Sequence, residues 1–293
     1  MQNTPLVTVI CLCYNHEKYV IQSINSVLNQ SYPNIELLIA DDCSSDNSVK
    51  VIENWLLENP EIKFKANKVN LGNTKTFNSL FKQSKGEFII DLAADDVLEE
   101  DCVSKQVQAF IDNKDVAIVY GNLELISENN IHLGYYYPVN EGKKAVTMPA
   151  TGDIYKSVLS QESKICSVSS MTKRKILEEL GGYDETLGFE DLDIWIRASR
   201  KYPFFFIDEI LVKRRELSTS LGNQFYIKNS AKTRKLNNST YRIIKKAIAL
   251  NKSKEENKAL MKRMHYEMMK AYNTNDFLLF LKYVPLELKL RFY

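Results

Sequence analysis

The feature that most constrains this chain is an apolar, strand-like run that ends in two adjacent acids. Residues 88–94 read Phe-Ile-Ile-Asp-Leu-Ala-Ala, and Asp95 and Asp96 follow directly. Such a run is typical of a strand in a parallel sheet, where ligands bind outside the carboxyl ends of the strands. Carboxylates at that point supply the oxygen ligands that Mg²⁺ and Mn²⁺ prefer. The pair indicates a metal–diphosphate site, although two such acids are as often a cap for the next helix.

Composition and length place the chain among ordinary globular proteins. It has 293 residues, of which 44% are hydrophobic and 26% are charged. The first residues show no basic-then-apolar leader, and no apolar run approaches the ~18 residues of a spanning helix. We therefore expect a cytoplasmic protein. Five scattered cysteines without a C-x-x-C pair predict reduced, mostly buried thiols, and three histidines far apart in sequence argue against a zinc site.

Charge is distributed unevenly along the chain. Residues 223–293 carry 16 Lys and Arg against 5 Asp and Glu, which leaves 23 against 32 for residues 1–222. A body of net charge −9 therefore precedes a tail of net charge +11. The tail also shows helical spacing of apolar residues and ends in leucines and aromatics interleaved with Lys and Arg, a pattern that suits a membrane interface. Contact with the acidic body or with a second copy of the chain explains the same pattern equally well.

The first half of the chain alternates between strand-like and helix-like patterns. Predicted strands cover about residues 7–12, 35–40, 62–66, 88–92 and 117–120, and predicted helices begin near residues 17, 49, 74 and 103. This alternation predicts right-handed βαβ units, hence an α/β fold with a mainly parallel sheet flanked by helices. Residues 127–165 show no clean period and are interpreted as a variable loop or substrate lid.

Two further acid pairs follow apolar runs or open helices. Asp41 and Asp42 end the second predicted strand and begin the sequence Asp-Asp-Cys-Ser-Ser-Asp. Glu190 and Asp191 lie at the start of a helix that contains Trp195, where acids most often act as caps.

Taken in order, these motifs resemble those of the large inverting glycosyltransferase family with the GT-A fold, often called family 2. The resemblance covers about residues 5–222. It rests on the strand followed by Tyr14-Asn15, the Asp41-Asp42 motif, the Asn-x-Gly turn, the acids after the fourth strand and the Glu190-Asp191 pair. It implies the GT-A (nucleotide-diphospho-sugar transferase) fold.

The resemblance also assigns roles to individual residues. Those expected to bind the nucleotide are Tyr14, Asn15, Asp41, Asp42, Asn70, Gly72, Asn78, Arg214 and Arg215. Those expected to hold a divalent metal, Mn²⁺ or Mg²⁺, are Asp95, Asp96 and Glu216. The chain departs from the family at two of its positions, with Ala93 in place of the first acid of the metal motif and Glu216 in place of a histidine.

The same resemblance implies the chemistry. Inversion requires a base that takes the proton of the acceptor hydroxyl, and Asp191 is the candidate, with Glu190 positioning it or binding the acceptor. The implied domains are a catalytic domain over residues 1–222, with a nucleotide-binding half (1–100) and an acceptor-binding half (101–222), and a basic amphipathic helical tail over residues 223–293.

The function expected is transfer of a sugar from a nucleotide-diphosphate sugar, with UDP as the nucleotide, to a hydroxyl of a glycan or lipid-linked acceptor. Surface polysaccharide synthesis in the cell envelope is the implied setting, with no nucleic-acid partner and with peripheral contact to the inner face of the membrane through the tail. Two alternatives stay open. A nucleotidyltransferase that makes the sugar donor needs a Gly-rich basic loop after the first strand, and residues 14–17 differ from that. A non-catalytic sugar-nucleotide-binding module would account for Ala93 and Glu216 but needs no base.

Overall fold

The computed structural model describes residues 4–292. The strands are β1 (Val7–Cys13), β2 (Ile35–Asp41), β3 (Lys63–Ala66), β4 (Phe88–Ala93), β5 (Val97–Leu98), β6 (Ile118–Ile126), β7 (His132–Tyr135), β8 (Ser170–Lys173) and β9 (Phe204–Arg215). The helices are α1 (Val20–Leu28), α2 (Ser48–Leu56), α3 (Asn73–Phe81), α4 (Cys102–Asp112), α5 (Tyr155–Ser160), α6 (Arg174–Glu179), α7 (Asp191–Ser199), α8 (Ala231–Leu250), α9 (Lys254–Asn273) and α10 (Phe277–Phe292).

The described strands form one mixed sheet in the order β3-β2-β1-β4-β8-β6-β9-β5, with β7 paired to β6. The first four strands in that order are mutually parallel, as are β6 and β9, whereas β8 is antiparallel to both of its neighbours. Strands β1 and β4 are almost entirely buried apolar runs, as expected for strands covered by helices on both faces. The predicted α/β fold class is confirmed.

The register of the parallel strands brings their carboxyl ends together. Cys13 at the end of β1 pairs with Asp41 at the end of β2, and Leu12 pairs with Ala93 at the end of β4. The loops that follow these three strands therefore meet at one edge of the sheet, with the loop after β1 in the middle.

By its internal contacts the chain divides into two compact units, each made of separate segments. The first contains residues 4–152, 165–183 and 203–216, and it holds the whole sheet and its apolar core. The second contains residues 153–164, 184–202 and 217–292. The predicted tail belongs to the second unit and forms α8, α9 and α10. The second unit also contains residues 153–164 and 184–202, so the domain boundary at residue 222 stays a prediction.

The second unit has an apolar core of its own. Ile243 and Ile244 of α8, Met264 of α9 and Tyr283 of α10 are buried in it. The side chain of Ser253 caps α9 by accepting a hydrogen bond of 3.2 Å from the backbone N–H of Glu256, as the sequence Ser-x-x-Glu indicates. None of the helices over residues 4–292 is long and apolar enough to cross a bilayer.

Residues 127–165 differ from their interpretation as irregular chain. They contain β7, which continues from β6 through a turn in which the backbone N–H of Ser127 donates to the backbone oxygen of Ile131, and the short helix α5. β7 has four residues and α5 has six, too few for a clear period in the sequence. The five cysteines are free thiols, and all except Cys43 are buried.

Candidate active site

The loop after β2 is held together by its own acids. The carboxylate of Asp41 is fully buried and accepts hydrogen bonds from the backbone N–H and the hydroxyl of Ser44. Next to it Cys43 has a φ of +66°, a left-handed conformation that few side chains adopt readily. Asp41 therefore shapes the turn in which Cys43 and Ser44 lie.

Asp42 organises a second loop. Its carboxylate accepts hydrogen bonds of 2.8–2.9 Å from four donors, which are the amide of Asn67, the backbone N–H groups of Leu71 and Gly72, and the hydroxyl of Thr76. Its backbone oxygen accepts a further hydrogen bond of 3.2 Å from the side chain of Asn70. Two of the predicted nucleotide-binding residues, Asn70 and Gly72, are thus brought to Asp42.

The loop after β1 is attached to the loop after β2. Asn15 has a φ of +60°, and its side-chain oxygen accepts a hydrogen bond of 2.7 Å from the backbone of Ser45. Asp46 accepts hydrogen bonds from the backbone N–H groups of Glu17 and Ser48. Burial acts to raise the pKa of Asp46, but the Ser48 hydroxyl and these two N–H groups together outweigh it and lower that pKa. The ring of Tyr14 is 48% exposed beside them, so an aromatic face is open to a ligand at this edge.

The acids after β4 lie in a turn and do not cap a helix. β5 follows them, and α4 begins later, at Cys102 after Asp101. Asp96 is buried and accepts a hydrogen bond of 2.9 Å from the backbone N–H of Arg215. Burial, and then the neighbouring charge of Asp95, raise the pKa of Asp96 well above its usual range.

Asp95 differs from the other acids at this edge. The whole residue is 8% exposed, which is less than we expect for the end of a strand. Among residues 4–292, the only basic side chain within ion-pairing distance of its carboxylate is that of His16, whose Nδ1 lies 3.7 Å from Oδ1. That Nδ1 is buried and has no hydrogen-bond partner among residues 4–292. A carboxylate and a ring nitrogen are thus left facing each other.

These groups fit a divalent cation. Metal–ligand bonds of about 2.0–2.2 Å allow two ligands of one ion to stand up to about 4 Å apart, and the 3.7 Å between His16 and Asp95 falls within that reach. Among the described residues no three His, Cys, Asp or Glu side chains lie close enough to hold an ion by themselves. This composition suits a cation that takes its remaining ligands from water and substrate phosphates, as Mg²⁺ usually does.

Arg215 stabilises the turn after β4. Its guanidinium is buried and donates to the backbone oxygen of Asp95 at 3.1 Å, to the backbone oxygens of Ser127 and Glu128, and to the side chain of Gln22 at 2.8 Å. Four of its five N–H groups are engaged in this way, which leaves little capacity for a phosphate.

Arg214 and Glu216 form an ion pair at the end of β9. Oε1 of Glu216 accepts from Nε of Arg214 at 3.0 Å and also from Nη2. The Arg214 guanidinium lies 5.6 Å from the centre of the Tyr136 ring and contacts the sulfur of Cys166 at 3.7 Å. Both charged side chains are about one-third exposed. Their predicted roles, phosphate binding for Arg214 and metal binding for Glu216, stay predictions.

Asn78 holds the chain around Tyr183. Its amide donates to the backbone oxygen of Tyr183 at 2.8 Å and accepts from the backbone N–H of the same residue at 3.0 Å. Gly182 has a φ of +73°, and a Cβ there would lie 2.7 Å from the Asn78 side-chain oxygen, so another residue would strain the backbone and displace Asn78. The Tyr183 hydroxyl donates to Asp91 of β4 at 3.1 Å.

In the second unit, Glu190 and Asp191 open α7. Glu190 immediately precedes the helix and makes no capping hydrogen bond through its side chain. Asp191 is the first helical residue and accepts from the backbone N–H of Leu192. Desolvation by the surrounding protein raises the pKa of Asp191, and the N–H of Leu192 and the charge of Arg263 offset part of that effect. A carboxylate with a raised pKa is a stronger base than an exposed one.

Ion pairs around the buried acid Asp193 hold α7 in the second unit. Asp193 pairs with Arg197 at 2.6 Å and with Lys246 of α8 at 2.7 Å, and Lys246 also contacts Asp184 at 2.6 Å. Arg263 of α9 donates to the backbone oxygens of residues 158 and 159.

Sequence reasoning did not identify these supporting residues. Lys246 and Arg263 lie in the tail, far along the chain from Asp191, and show no local motif. His16 and Asp46 lie inside segments that do carry motifs, and their position in the loops that follow β1 and β2 is the signal that would have found them.

The chain is similar to known sugar-transferring proteins. The family model described as glycosyl transferase family 2 matches residues 8–181, more than half of the chain. The Escherichia coli enzyme UDP-Glc:alpha-D-GlcNAc-diphosphoundecaprenol beta-1,3-glucosyltransferase WfgD is 37% identical over 127 residues, which cover 43% of this chain and 49% of that protein. This chain spans as little as 34% of the length of the curated relatives that it matches.

Solved structures share the fold. The mannosyltransferase PcManGT of Pyrobaculum calidifontis, in complex with GDP-Man and Mn²⁺, matches with a TM-score of 0.64 and 17% identity over 94% of this chain and 73% of that one. Staphylococcus aureus TarS (residues 1–349), in complex with UDP-GlcNAc, matches with a TM-score of 0.69 and 16% identity over 97% of this chain and 81% of that one. At these identities the likeness concerns the fold alone, and it confirms the predicted GT-A fold. Because the family model covers more than half of its length, the chain belongs to glycosyl transferase family 2.

Proposed function

We propose that this protein is an inverting glycosyltransferase that moves one sugar from a UDP-sugar to a hydroxyl group. The observation that carries the proposal is the Asp95 carboxylate, which stands at the carboxyl edge of the parallel strands and faces an unpaired ring nitrogen of His16. The other strand-end acids at this edge are engaged by protein donors. A group kept free of internal hydrogen bonds beside such a loop cluster is suited to a ligand.

The donor sugar nucleotide is proposed to bind at this edge. Tyr14, Asn15 and the turn shaped by Asp41 would contact the base and ribose, and the turn held by Asp42 would lie along them. UDP is chosen because the names of WfgD and of the TarS complex specify UDP-sugars.

Asp95, supported by Asp96 and His16, is proposed to hold Mn²⁺ or Mg²⁺. Glu216, proposed as a further ligand, would have to leave its ion pair with Arg214 to join them, since no three such side chains of the described residues lie within reach of one ion. When bound, the cation would neutralise the charge that develops on the diphosphate as it leaves. Arg214 would add a positive charge near the phosphates. The structure with the related fold that holds Mn²⁺ makes this cation the first one to test.

Asp191 is proposed as the general base. It would accept the proton of the acceptor hydroxyl while that oxygen attacks the anomeric carbon and the sugar–phosphate bond breaks. Its raised pKa favours this role, because a base works best when its pKa approaches the working pH. Glu190 would orient the acceptor. The acceptor itself is proposed to be a glycan or lipid-linked saccharide in cytoplasmic assembly of a surface polysaccharide, by analogy with the substrate named for WfgD.

A panel of nucleotide-sugars tests the function. Nucleotide release is measured with each sugar in Mn²⁺, with and without saccharide acceptors, and donor affinity is measured separately. Turnover with one donor supports the transferase. Binding of a sugar nucleotide without turnover with any acceptor would favour a non-catalytic module, the alternative that accounts for Ala93 and Glu216.

Asp191→Asn then separates chemistry from binding. Asparagine keeps the size of the side chain but takes no proton, so kcat should fall by about 10²–10⁴-fold while donor affinity stays the same. Glu185→Gln, an exposed acid nearby in the sequence, serves as the matched control and should retain activity. An equal loss of donor binding and of thermal stability in Asp191→Asn would instead identify a structural helix cap.

A further inference from the structure

Helix α10 has an exposed apolar face. Leu278, Leu281 and Leu288 are 76%, 60% and 51% exposed, and Pro285 between them is exposed as well. Their spacing of three, four and three residues places all four on one face of an α-helix. We call these four residues the α10 stripe. Phe277 at the start of the helix is 52% exposed and extends it.

The opposite face of α10 is occupied by the second unit's own core. Leu279, Tyr283 and Leu290 are buried there, and the helix packs against α9. The apolar residues of α10 therefore fall into two groups. One group stabilises the fold, and the other is not buried by any part of the described chain. Because the stripe is exposed, packing within the second unit does not explain why these residues are apolar.

Cations border the stripe on both sides. At 100° per residue, Lys282 and Lys289 fall along one border, and Arg291 falls along the other. The only acid of α10, Glu287, lies towards the buried side and is already paired with His265 at 2.9 Å and with Arg291 at 2.5 Å. The outward face thus combines apolar side chains with positive charge and contains no acid.

We propose that the α10 stripe is a binding surface for an anionic membrane, on which the helix lies parallel to the bilayer plane. An apolar strip bordered by Lys and Arg is the pattern of helices that lie in the headgroup region. The helix has 16 residues and so a length of about 24 Å, shorter than the ~30 Å hydrocarbon core. It therefore binds on the membrane and does not cross it.

Positive charge selects this occupant over a second copy of the chain. In a symmetric pair, the stripe of one copy would face the same stripe of the other, and Lys282, Lys289 and Arg291 would face like charges. An anionic lipid surface instead attracts each of them, and residues 223–293 as a whole carry a net charge of +11. The inference does not depend on which sugar the protein transfers.

The test is co-sedimentation of the full chain with vesicles of phosphatidylglycerol and phosphatidylcholine, and with vesicles of phosphatidylcholine alone, at low and high salt. One variant combines Leu278→Gln, Leu281→Gln and Leu288→Gln, and a second combines Lys282→Gln, Lys289→Gln and Arg291→Gln. Glutamine is a good helix former, and all six positions are exposed, so both variants should fold. Thermal melting verifies this.

Matched controls make the same changes elsewhere. Leu28, Leu57 and Leu133 are exposed leucines outside the second unit, and Lys232, Arg234 and Lys235 are exposed cations at the start of α8. Each set is changed to Gln. A general effect of hydrophobicity or net charge would then appear in the controls too.

We expect the wild-type chain to bind the anionic vesicles at low salt, to bind less at high salt, and to ignore neutral vesicles. Each cation should contribute roughly a fivefold increase in partitioning, so the charge variant should lose up to about 100-fold, and the stripe variant should lose at least about tenfold. The controls should lose much less. Absence of wild-type binding, or equal losses in variants and controls, would overturn the proposal. A wild-type chain that forms a dimer and binds no vesicles, together with a stripe variant that is monomeric, would overturn it as well.

Discussion

The loops after β2 and β4 both carry two adjacent aspartates, yet the protein uses the two pairs differently. Asp42 accepts four hydrogen bonds from protein donors, and both oxygens of Asp41 accept from Ser44. Asp95 instead faces only the buried, unpaired Nδ1 of His16. The same residue pair therefore builds structure at one strand end and leaves a carboxylate available at the next. Hydrogen-bond partners, and not the motif alone, distinguish the two.

The largest effect of removing one of these acids is expected at Asp95. Asp95→Ala should reduce kcat/KM for sugar transfer by about 10³-fold or more, because it removes the proposed metal ligand. The folded state should keep its stability or gain some, since the change relieves the charge repulsion that, after burial, raises the pKa of Asp96. Initial rates and thermal melting measure the two effects. Near-normal turnover would place the metal site elsewhere.

The same substitution at the other loop should have the opposite result. Asp42→Ala leaves the donors of Asn67, Leu71, Gly72 and Thr76 without their acceptor, so the free energy of unfolding should fall by about 2–4 kcal/mol. Asp42→Asn keeps one acceptor oxygen and should lose less. Chemical denaturation gives both values. If Asp42→Ala melts like the wild type, the four hydrogen bonds do not stabilise this loop.

A third acid, Asp91, extends the comparison into β4 itself. Desolvation raises its pKa to about 7, partly opposed by the Tyr183 hydroxyl, from an ordinary value near 3.8. Between these values the unfolded chain has lost the proton that the folded chain retains. The contribution of Asp91 to stability therefore falls as pH rises from about 4 to about 7, and stays low above that range.

Asp91→Asn removes this titration and still accepts from Tyr183. The variant should match the wild type near pH 3.5 and be more stable than it at pH 8, which denaturation at several pH values measures. A variant that is less stable than the wild type at pH 8 would show that the charged carboxylate stabilises β4.

The smallest effect is expected at Glu216. If Glu216 binds the metal, Glu216→His should retain Mn²⁺-dependent transfer, whereas Glu216→Ala should lose about tenfold or more. Activity titrated against Mn²⁺ concentration distinguishes them. Equal activity of both variants and the wild type would leave Glu216 with its ion pair to Arg214 alone.

The parallel strands β1, β2 and β4 were predictable because each is a mainly apolar run, and β3 was predictable because it falls between two helix-like segments. The antiparallel strand β8 was not, since Ser170–Lys173 contains one buried apolar residue and inserts between β4 and β6 through long-range pairing. The predicted helical tail forms three helices, because its apolar spacing is regular over long stretches.

In the site, sequence reasoning identified strand-end acids but not their partners. The approach of His16 to Asp95 depends on β1 and β4 being neighbours, which a count of histidines along the chain does not reveal. Likewise, the buried Arg215 stabilises the turn after β4 through hydrogen bonds to Gln22 and Ser127, two residues that lie far from it in sequence. Local motifs specify which residue types are present, and tertiary contacts decide which of them are free to bind.

A calorimetric titration with UDP, in the presence and absence of Mn²⁺, tests whether Asp95 and not the Asp41-Asp42 pair binds the cation with the nucleotide. The wild type should bind UDP about tenfold or more tightly with Mn²⁺. Asp95→Asn should lose that gain while keeping its Mn²⁺-independent affinity, and Asp42→Asn, where folded, should keep the gain. A full Mn²⁺-dependent gain in Asp95→Asn, or its loss in a folded Asp42→Asn, would contradict the account.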